Sequence, residues 1–89
     1  MLFSKRITEA IKQSPYSQKE IAKMLNISEG NITNWKKGEN LPSVDTLYKL
    51  CIILDESSDY LLGLEDETGA KTYVNNSFNN FHNSGTFKL

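Results

Sequence analysis

The feature that most restricts the fold is a pair of short helices, predicted over residues 18–25 and 29–37, with only three residues between them. Ser17 is an N-cap for the first helix, and the glutamate three residues later completes a capping box. Ser28 repeats the capping role for the second helix. Asn26 suits the turn because asparagine tolerates the left-handed backbone conformation. This is the spacing of a helix-turn-helix.

The second of these helices has one apolar side and one polar side. At 100° per residue, Ile32 and Trp35 point towards the core, and the small Ala22 of the preceding helix faces the crossing. The outward side has no large apolar residue: Glu29 lies at its flank, and the other outward positions are Gly30, Thr33, Asn34 and Lys37.

Three further helices complete an all-α arrangement. The first is predicted from about residue 2 to residue 13, with Ile7, Ala10 and Ile11 on its apolar stripe, and it ends before Ser14-Pro15. The fourth follows an N-cap at Ser43 and is expected to be the central helix because it is the most apolar, with Val44, Leu47, Leu50, Cys51 and Leu54 at helical spacing. A short fifth helix begins at Ser57 or Ser58 and ends at Gly63. We therefore expect a five-helix domain over residues 1–66.

Residues 67–89 form a C-terminal tail of different composition, rich in asparagine and phenylalanine. Three interpretations stay open: a disordered polar tail, a β-type arm or hairpin that joins subunits, and an amphipathic helix through Val74, Phe78 and Phe81. The turn signal Asn83-Ser84-Gly85 supports the second interpretation.

Composition bounds the protein class. The 89 residues allow one small domain and a tail. The net charge of −1 hides a segregation of charge: residues 1–54 carry eight Lys and Arg against five Asp and Glu, whereas residues 55–67 carry six acids and no base. Such asymmetry is typical of nucleic-acid binders. No apolar run reaches the ~20 residues that cross a bilayer, and nothing marks the N-terminus for export, so a cytoplasmic location is expected.

Catalysis and metal binding have little support in the sequence. Cys51 lies in an apolar run and is interpreted as a small buried hydrophobe, and His82 lies in the polar tail. One cysteine and one histidine cannot form a closed four-ligand zinc site. There is no phosphate loop and no plausible pair of nucleophile and base. We therefore expect no enzyme activity, no cofactor, no metal and no small-molecule ligand.

Residues 17–63 resemble the DNA-binding domain of the phage repressor and Cro type of helix-turn-helix regulators, often called the XRE family. The resemblance extends over roughly residues 3–66, and the matching positions are Gln18, Ile21-Ala22, Leu25, Ile27-Ser28, Ile32, Trp35, Gly38, Pro42 and the ending "DYLLG" at 59–63. Two positions depart from the family pattern. Asn26 stands where the family often has glycine, and Gly30 stands where it commonly presents a side chain to the bases.

The resemblance implies a set of DNA contacts on duplex DNA. Amides can pair with adenine and a carboxylate can accept from cytosine in the major groove. The expected base-reading residues are Gln18, Ser28, Glu29, Gly30, Thr33 and Asn34. Phosphates are expected to meet Lys and Asn side chains and the starts of both helices. The expected phosphate contacts are Ser17, Lys19, Asn31, Lys36, Lys37 and Asn40.

The predicted function is a sequence-specific transcriptional regulator, by default a repressor, that acts as a homodimer on a near-palindromic operator. Two third helices would enter successive major grooves about 34 Å apart. The expected self-association residues are Tyr60, Leu61 and Leu62 in the fifth helix and Phe78, Phe81 and Phe87 in the tail. The alternative is a protein-interaction module, antirepressor-like or antitoxin-like, that keeps the helix-turn-helix shape.

Overall fold

The computed structural model describes residues 2–72 and contains five α-helices in that range. They are α1 Phe3–Gln13, α2 Gln18–Leu25, α3 Glu29–Lys37, α4 Val44–Leu54 and α5 Ser58–Leu62. The predicted all-α, five-helix class is confirmed. Among the described residues, no helix is long and apolar enough to cross a membrane.

Side-chain caps fix where three of the helices begin. Ser17 Oγ accepts from the Glu20 backbone N–H at 3.1 Å, and Glu20 Oε1 accepts from the Ser17 N–H at 2.8 Å, so the predicted capping box is present. Ser43 and Ser57 cap α4 and α5 by accepting from the backbone N–H groups of Thr46 and Tyr60, without the reciprocal bond. Ser28 has the extended backbone of an N-cap, but its side chain makes no cap hydrogen bond.

Residues with a left-handed backbone end four of the helices. Asn26 has φ 57° and ψ 45°, as predicted for the turn, and its N–H donates to the Ala22 and Lys23 carbonyls of α2. Gly38 ends α3 with φ 77°, a value that suits glycine because it has no Cβ. Asp55, which the sequence analysis did not single out, does the same for α4 with φ 54°.

One hydrophobic core joins the helices. α1 packs against α3 and α5, and α2 packs against α3 and α4. The fully buried large side chains are Phe3, Ile7, Ile21, Ile32, Leu50 and Leu61. Phe3 was not among the predicted core residues of α1, which were Ile7, Ala10 and Ile11; it lies in the first turn, where helical spacing was too short to indicate a side.

The prediction that α4 is the central helix is wrong. Only Leu50 and Leu54 of α4 are buried, while Leu47 and Cys51 are partly buried against the core. Val44, predicted on the inward stripe, is 84% exposed. The reason is positional: α4 packs on one side against α2 and α5, so much of its apolar surface has no neighbour in the described part of the chain. Burial also raises the pKa of the Cys51 thiol.

The fold continues past α5 into a turn over residues 63–72. Thr72 N–H donates to the Leu64 carbonyl at 3.0 Å, and Asp66 N–H donates to the Ala70 carbonyl at 2.8 Å. Arg6 of α1 holds the turn: its guanidinium donates to the Tyr60 and Glu65 carbonyls and lies 4.3 Å from the centre of the Tyr60 ring. This clamp was missed, because no local pattern in a sequence links residue 6 to residue 65.

The predictions for the tail beyond Thr72, including Phe78, Phe81 and Phe87 as self-association residues, lie outside the described residues.

Candidate nucleic-acid interface

Three buried apolar side chains hold the helix-turn-helix against the core. Ile32 and Trp35 of α3 are buried, as their spacing predicted, and Ala22 of α2 is buried at the crossing. The backbone N–H of Ile27 donates to the Ala22 carbonyl at 3.0 Å, which closes the turn between the helices. The rotation of α3 about its own axis is therefore set, and with it the set of side chains that α3 presents outward.

A hydrogen-bond network joins the start of α2 to the middle of α3. Gln18 Nε2 donates to Thr33 Oγ1 at 3.0 Å and to the Glu29 carbonyl at 3.3 Å. Lys36 Nζ donates to Gln18 Oε1 at 2.8 Å. Three residues expected to contact DNA thus contact one another. We name Gln18, Thr33 and Lys36 the cross-helix network.

The network limits what Gln18 can offer a base. A bidentate pair with adenine needs one N–H and one oxygen of the amide. Both N–H groups of Gln18 already have protein acceptors, whereas its oxygen keeps one lone pair and Lys36 keeps two further N–H groups. In this arrangement Gln18 and Lys36 together present an oxygen acceptor and a cation, and not an amide that can pair with adenine.

The other predicted base-reading positions differ in exposure. Ser28, Glu29 and Gly30 are exposed at the start of α3, and Thr33 and Asn34 are partly buried. Asn34 lies one residue beyond Thr33, so it stands beside the cross-helix network.

Gly30 leaves a gap in this surface that has room for a side chain. A Cβ built on Gly30 would meet only Ser28 Oγ within 4 Å, at 3.7 Å, and its backbone is helical. Among the described residues 2–72, no contact or backbone angle requires glycine here. The absent side chain lets another molecule approach the backbone of α3.

The charges around this surface are weakly basic. Residues 17–40 contain four lysines and three glutamates, a balance of +1. Glu20 is turned to the Ser17 N–H by the capping box. The six predicted phosphate-contacting positions are all exposed: Ser17, Lys19, Asn31, Lys36, Lys37 and Asn40.

The predicted self-association residues of α5 belong mainly to the core. Leu61 is 0% exposed, so it is unavailable to a second molecule, and that prediction needs correction. Leu62 is partly buried against the core, and the Tyr60 ring is covered on one side by Arg6. The apolar pattern of α5 indicated burial but could not tell whether the burying surface belongs to the same chain.

The acidic stretch forms a separate groove between α1 and the C-terminal turn. Glu9 of α1 faces Glu56, Glu65 and Glu67 across it. Asp66 accepts hydrogen bonds from the side chain and backbone N–H of Thr68 and from the Ala70 N–H, and these bonds lower the pKa of its carboxyl. Four of the six acids of residues 55–67 thus line a groove with α1 and not the surface of α3.

Comparison with known proteins gives two findings. A family described as helix-turn-helix matches residues 7–61, which cover α2 and α3 in full. The HTH-type transcriptional regulator ImmR of Bacillus subtilis (strain 168) is 42% identical over 71 residues, which is 80% of this chain. The matched region is 55% of ImmR, so this chain spans about half the length of that curated relative.

Proposed function

Because this chain belongs to the XRE-type helix-turn-helix family, we propose that it is a transcriptional regulator that binds double-stranded DNA in a sequence-specific way. The observation that carries the proposal is the cross-helix network, which ties Gln18 to Thr33 at 3.0 Å and to Lys36 at 2.8 Å. Such a network fixes polar groups before binding, so less conformational entropy is lost when they meet DNA.

Base reading falls to the outward groups of α3. Asn34 pairs its amide with adenine, and Glu29 accepts from the amino group of cytosine. Gly30 allows the backbone of α3 to lie close to the floor of the groove, and Ser28 and Thr33 add single hydrogen bonds. Gln18 has two roles. Its hydrogen bonds hold α2 against α3, and the free lone pair of its amide oxygen accepts a hydrogen bond from DNA.

Phosphate contacts orient the domain on the duplex without choosing a sequence. Lys36 is suited to a double role, since one N–H binds Gln18 and two remain for a phosphate. Lys19 and Lys37 supply the other cations, and Ser17, Asn31 and Asn40 supply neutral donors. With three lysines per subunit, a dimer neutralises about six phosphate charges and should show a salt slope of about −5.

The regulator acts as a homodimer on a near-palindromic operator. Two α3 helices about 34 Å apart then enter successive major grooves on one face of the DNA. Bound over a promoter, the dimer represses by excluding polymerase. The mechanism uses binding alone and assigns no bond-breaking role to any side chain.

The test is selection of bound sequences from a random duplex pool, followed by footprinting with the full chain. We expect a near-palindrome whose half-sites are one helical turn apart. If the folded protein recovers sequences that share no pattern, sequence-specific binding is refuted.

One observation favours the alternative, a protein-interaction module: the balance of only +1 over residues 17–40. Replacing Asn34 and Lys37 with alanine separates the two functions. A regulator loses its operator in this variant, whereas an interaction module keeps its protein partner.

A further inference from the structure

The outward side of α4 carries an apolar stripe that the other described residues leave exposed. Val44 is 84% exposed, and Tyr48 and Ile52 are each 65% exposed. Because these residues are spaced by four, they lie on one side of the helix and span about 12 Å along it. We name Val44, Tyr48 and Ile52 the α4 stripe.

A row of two charges borders the α4 stripe on one side only. Asp45 and Lys49 are exposed. Around the axis of α4, with Val44 at 0°, the stripe extends to Ile52 at about 80°, and the two charged residues follow at about 100° and 140°. They form an exposed ion pair with 3.2 Å between Lys49 Nζ and Asp45 Oδ2. The opposite border of the stripe leads to Leu47 and Cys51, which pack against the core.

We propose that the α4 stripe is the surface on which a second copy of this chain packs, with the two α4 helices antiparallel and a two-fold axis near Tyr48. The inference rests on the proposed function in one respect, the homodimer, and it places the contact on α4 instead of on Leu61 of α5, which is buried.

Charge complementarity selects the second copy and its direction. A two-fold axis that makes the helices antiparallel keeps both charged rows on the same side of the contact, whereas parallel helices would place them on opposite sides. With the axis at Tyr48, Asp45 of one copy and Lys49 of the other differ by only about 3 Å along the helix axis. This attractive pair occurs twice. The two Lys49 side chains are also about 3 Å apart in that direction and repel each other once, while the two like-charged Asp45 side chains are about 9 Å apart. The close attractive pairs therefore outnumber the close repulsive pair by two to one.

The apolar groups match under the same rotation. Val44 of one copy faces Ile52 of the other at both ends, and the two Tyr48 rings meet in the middle. A self-complementary pattern of this kind is what an isologous contact requires. Antiparallel helices with such side chains pack at 8–10 Å between axes.

The size of the α4 stripe predicts a weak dimer. Its three side chains and the neighbouring Leu41, which is 55% exposed, offer on the order of 100 Å² each. A stable interface buries roughly 800 Å² per partner. Association in solution should thus depend on protein concentration and be completed by the spacing of two half-sites on DNA.

The first test is sedimentation velocity on the full chain over a concentration series, without DNA. We expect Ile52→Asp to weaken the dimer by at least about thirtyfold, the size of an interface hot spot. Met24→Asp is the matched control, since Met24 is an exposed apolar residue of another helix at 46% exposure. Circular dichroism melting of both variants verifies that they fold. A wild-type chain that stays monomeric at every concentration overturns the proposal.

The second test separates a second copy from other occupants. Asp45→Lys should weaken the dimer by like-charge contact with Lys49, and the double variant Asp45→Lys with Lys49→Asp should restore it. Loss of the dimer in the single variant and its return in the double variant are expected if Asp45 of each copy faces Lys49 of the other. Association that ignores both Ile52→Asp and Asp45→Lys overturns the proposal.

The third test locates the axis by disulfide trapping. In a Cys51→Ser background, Tyr48→Cys should give a covalent dimer under mild oxidation, because facing Cα atoms near the axis reach the 4.4–6.8 Å that a disulfide needs. Met24→Cys in the same background should not. Equal trapping at both positions, or none at position 48, contradicts the geometry.

These results are distinguishable from a failure of the proposed function. If the chain forms a dimer through α4 but binds no duplex, the proposed DNA-binding function is refuted and the α4 contact is supported. Conversely, a DNA-binding chain in which Ile52→Asp changes neither oligomer nor operator affinity keeps the function and overturns the contact.

Discussion

The amide nitrogen of Gln18 lies 3.0 Å from the hydroxyl oxygen of Thr33, so the first residue of α2 is bonded to the middle of α3. The link makes the two helices act as one unit, since Lys36 binds the same amide from the other side. It also explains how a surface with few charges can hold its polar groups in place.

Replacing Gln18 with leucine should weaken operator binding by at least about tenfold. Leucine removes all three hydrogen bonds of the cross-helix network and frees Thr33 and Lys36 to move before they meet DNA. Fluorescence anisotropy with a selected duplex measures the change. Gln13→Leu, at an exposed position on α1, is the control, and equal affinities for both variants would show that the network has no part in binding.

Gly30→Ala should raise the free energy of unfolding by up to about 1 kcal/mol and the Tm by about 4–8 °C. The new methyl group meets only Ser28 Oγ, and alanine favours the helix. Gly38→Ala and Gly63→Ala are controls that should destabilise, because both have positive φ and a Cβ at Gly63 would lie 3.2 Å from Leu2 Cβ. Thermal melting of the three variants measures these changes. A lower Tm for Gly30→Ala than for the wild-type chain would contradict the claim that position 30 has room for a side chain.

Arg6→Met should lower the free energy of unfolding by about 2 kcal/mol, since methionine keeps the apolar stem but loses the charged donors and the contact over the Tyr60 ring. Urea unfolding measures it. Lys5→Met at the neighbouring exposed position controls for the loss of one charge. Matching midpoints for the two variants would mean that the C-terminal turn is held without Arg6.

The C-terminal turn should respond to acid through Asp66. Its folded pKa is lowered by the hydrogen bonds from Thr68 and Ala70, so its contribution to stability is present above the unfolded pKa and is lost as pH falls through the folded pKa. In an NMR titration, the amide shifts of Thr68 and Ala70 should follow the Asp66 carboxyl, with a midpoint below its ordinary value. Asp66→Ala should remove this step, and a midpoint at or above the ordinary value contradicts the assignment.

Local chemistry explains why so much of the fold could be predicted. The capping box at Ser17, the left-handed turn at Asn26 and the stop at Gly38 depend on residues within four positions of one another. The inward pair Ile32 and Trp35 depends only on helical period. Patterns of this range are visible in a single sequence.

Contacts between distant residues explain the failures. α4 is apolar on several sides, so its composition indicated a central helix, but only the packing of its neighbours determines that Val44 is exposed. The Arg6 clamp and the bond between Gln18 and Lys36 join residues 59 and 18 positions apart. Of the candidate site, the sequence indicated which side of α3 faces outward but not that Gln18, Thr33 and Lys36 bind one another.

Whether the outward surface of α3 reads DNA bases is tested most directly by the affinity of Asn34→Ala for the selected operator. The measurement compares it with the wild-type chain on the operator and on random duplex, between about 50 and about 200 mM salt. The account predicts a loss of about 1–3 kcal/mol on the operator, little change on random duplex, and a salt slope of about −5 for both chains. Equal losses on both duplexes, or an affinity that does not depend on salt, would contradict it.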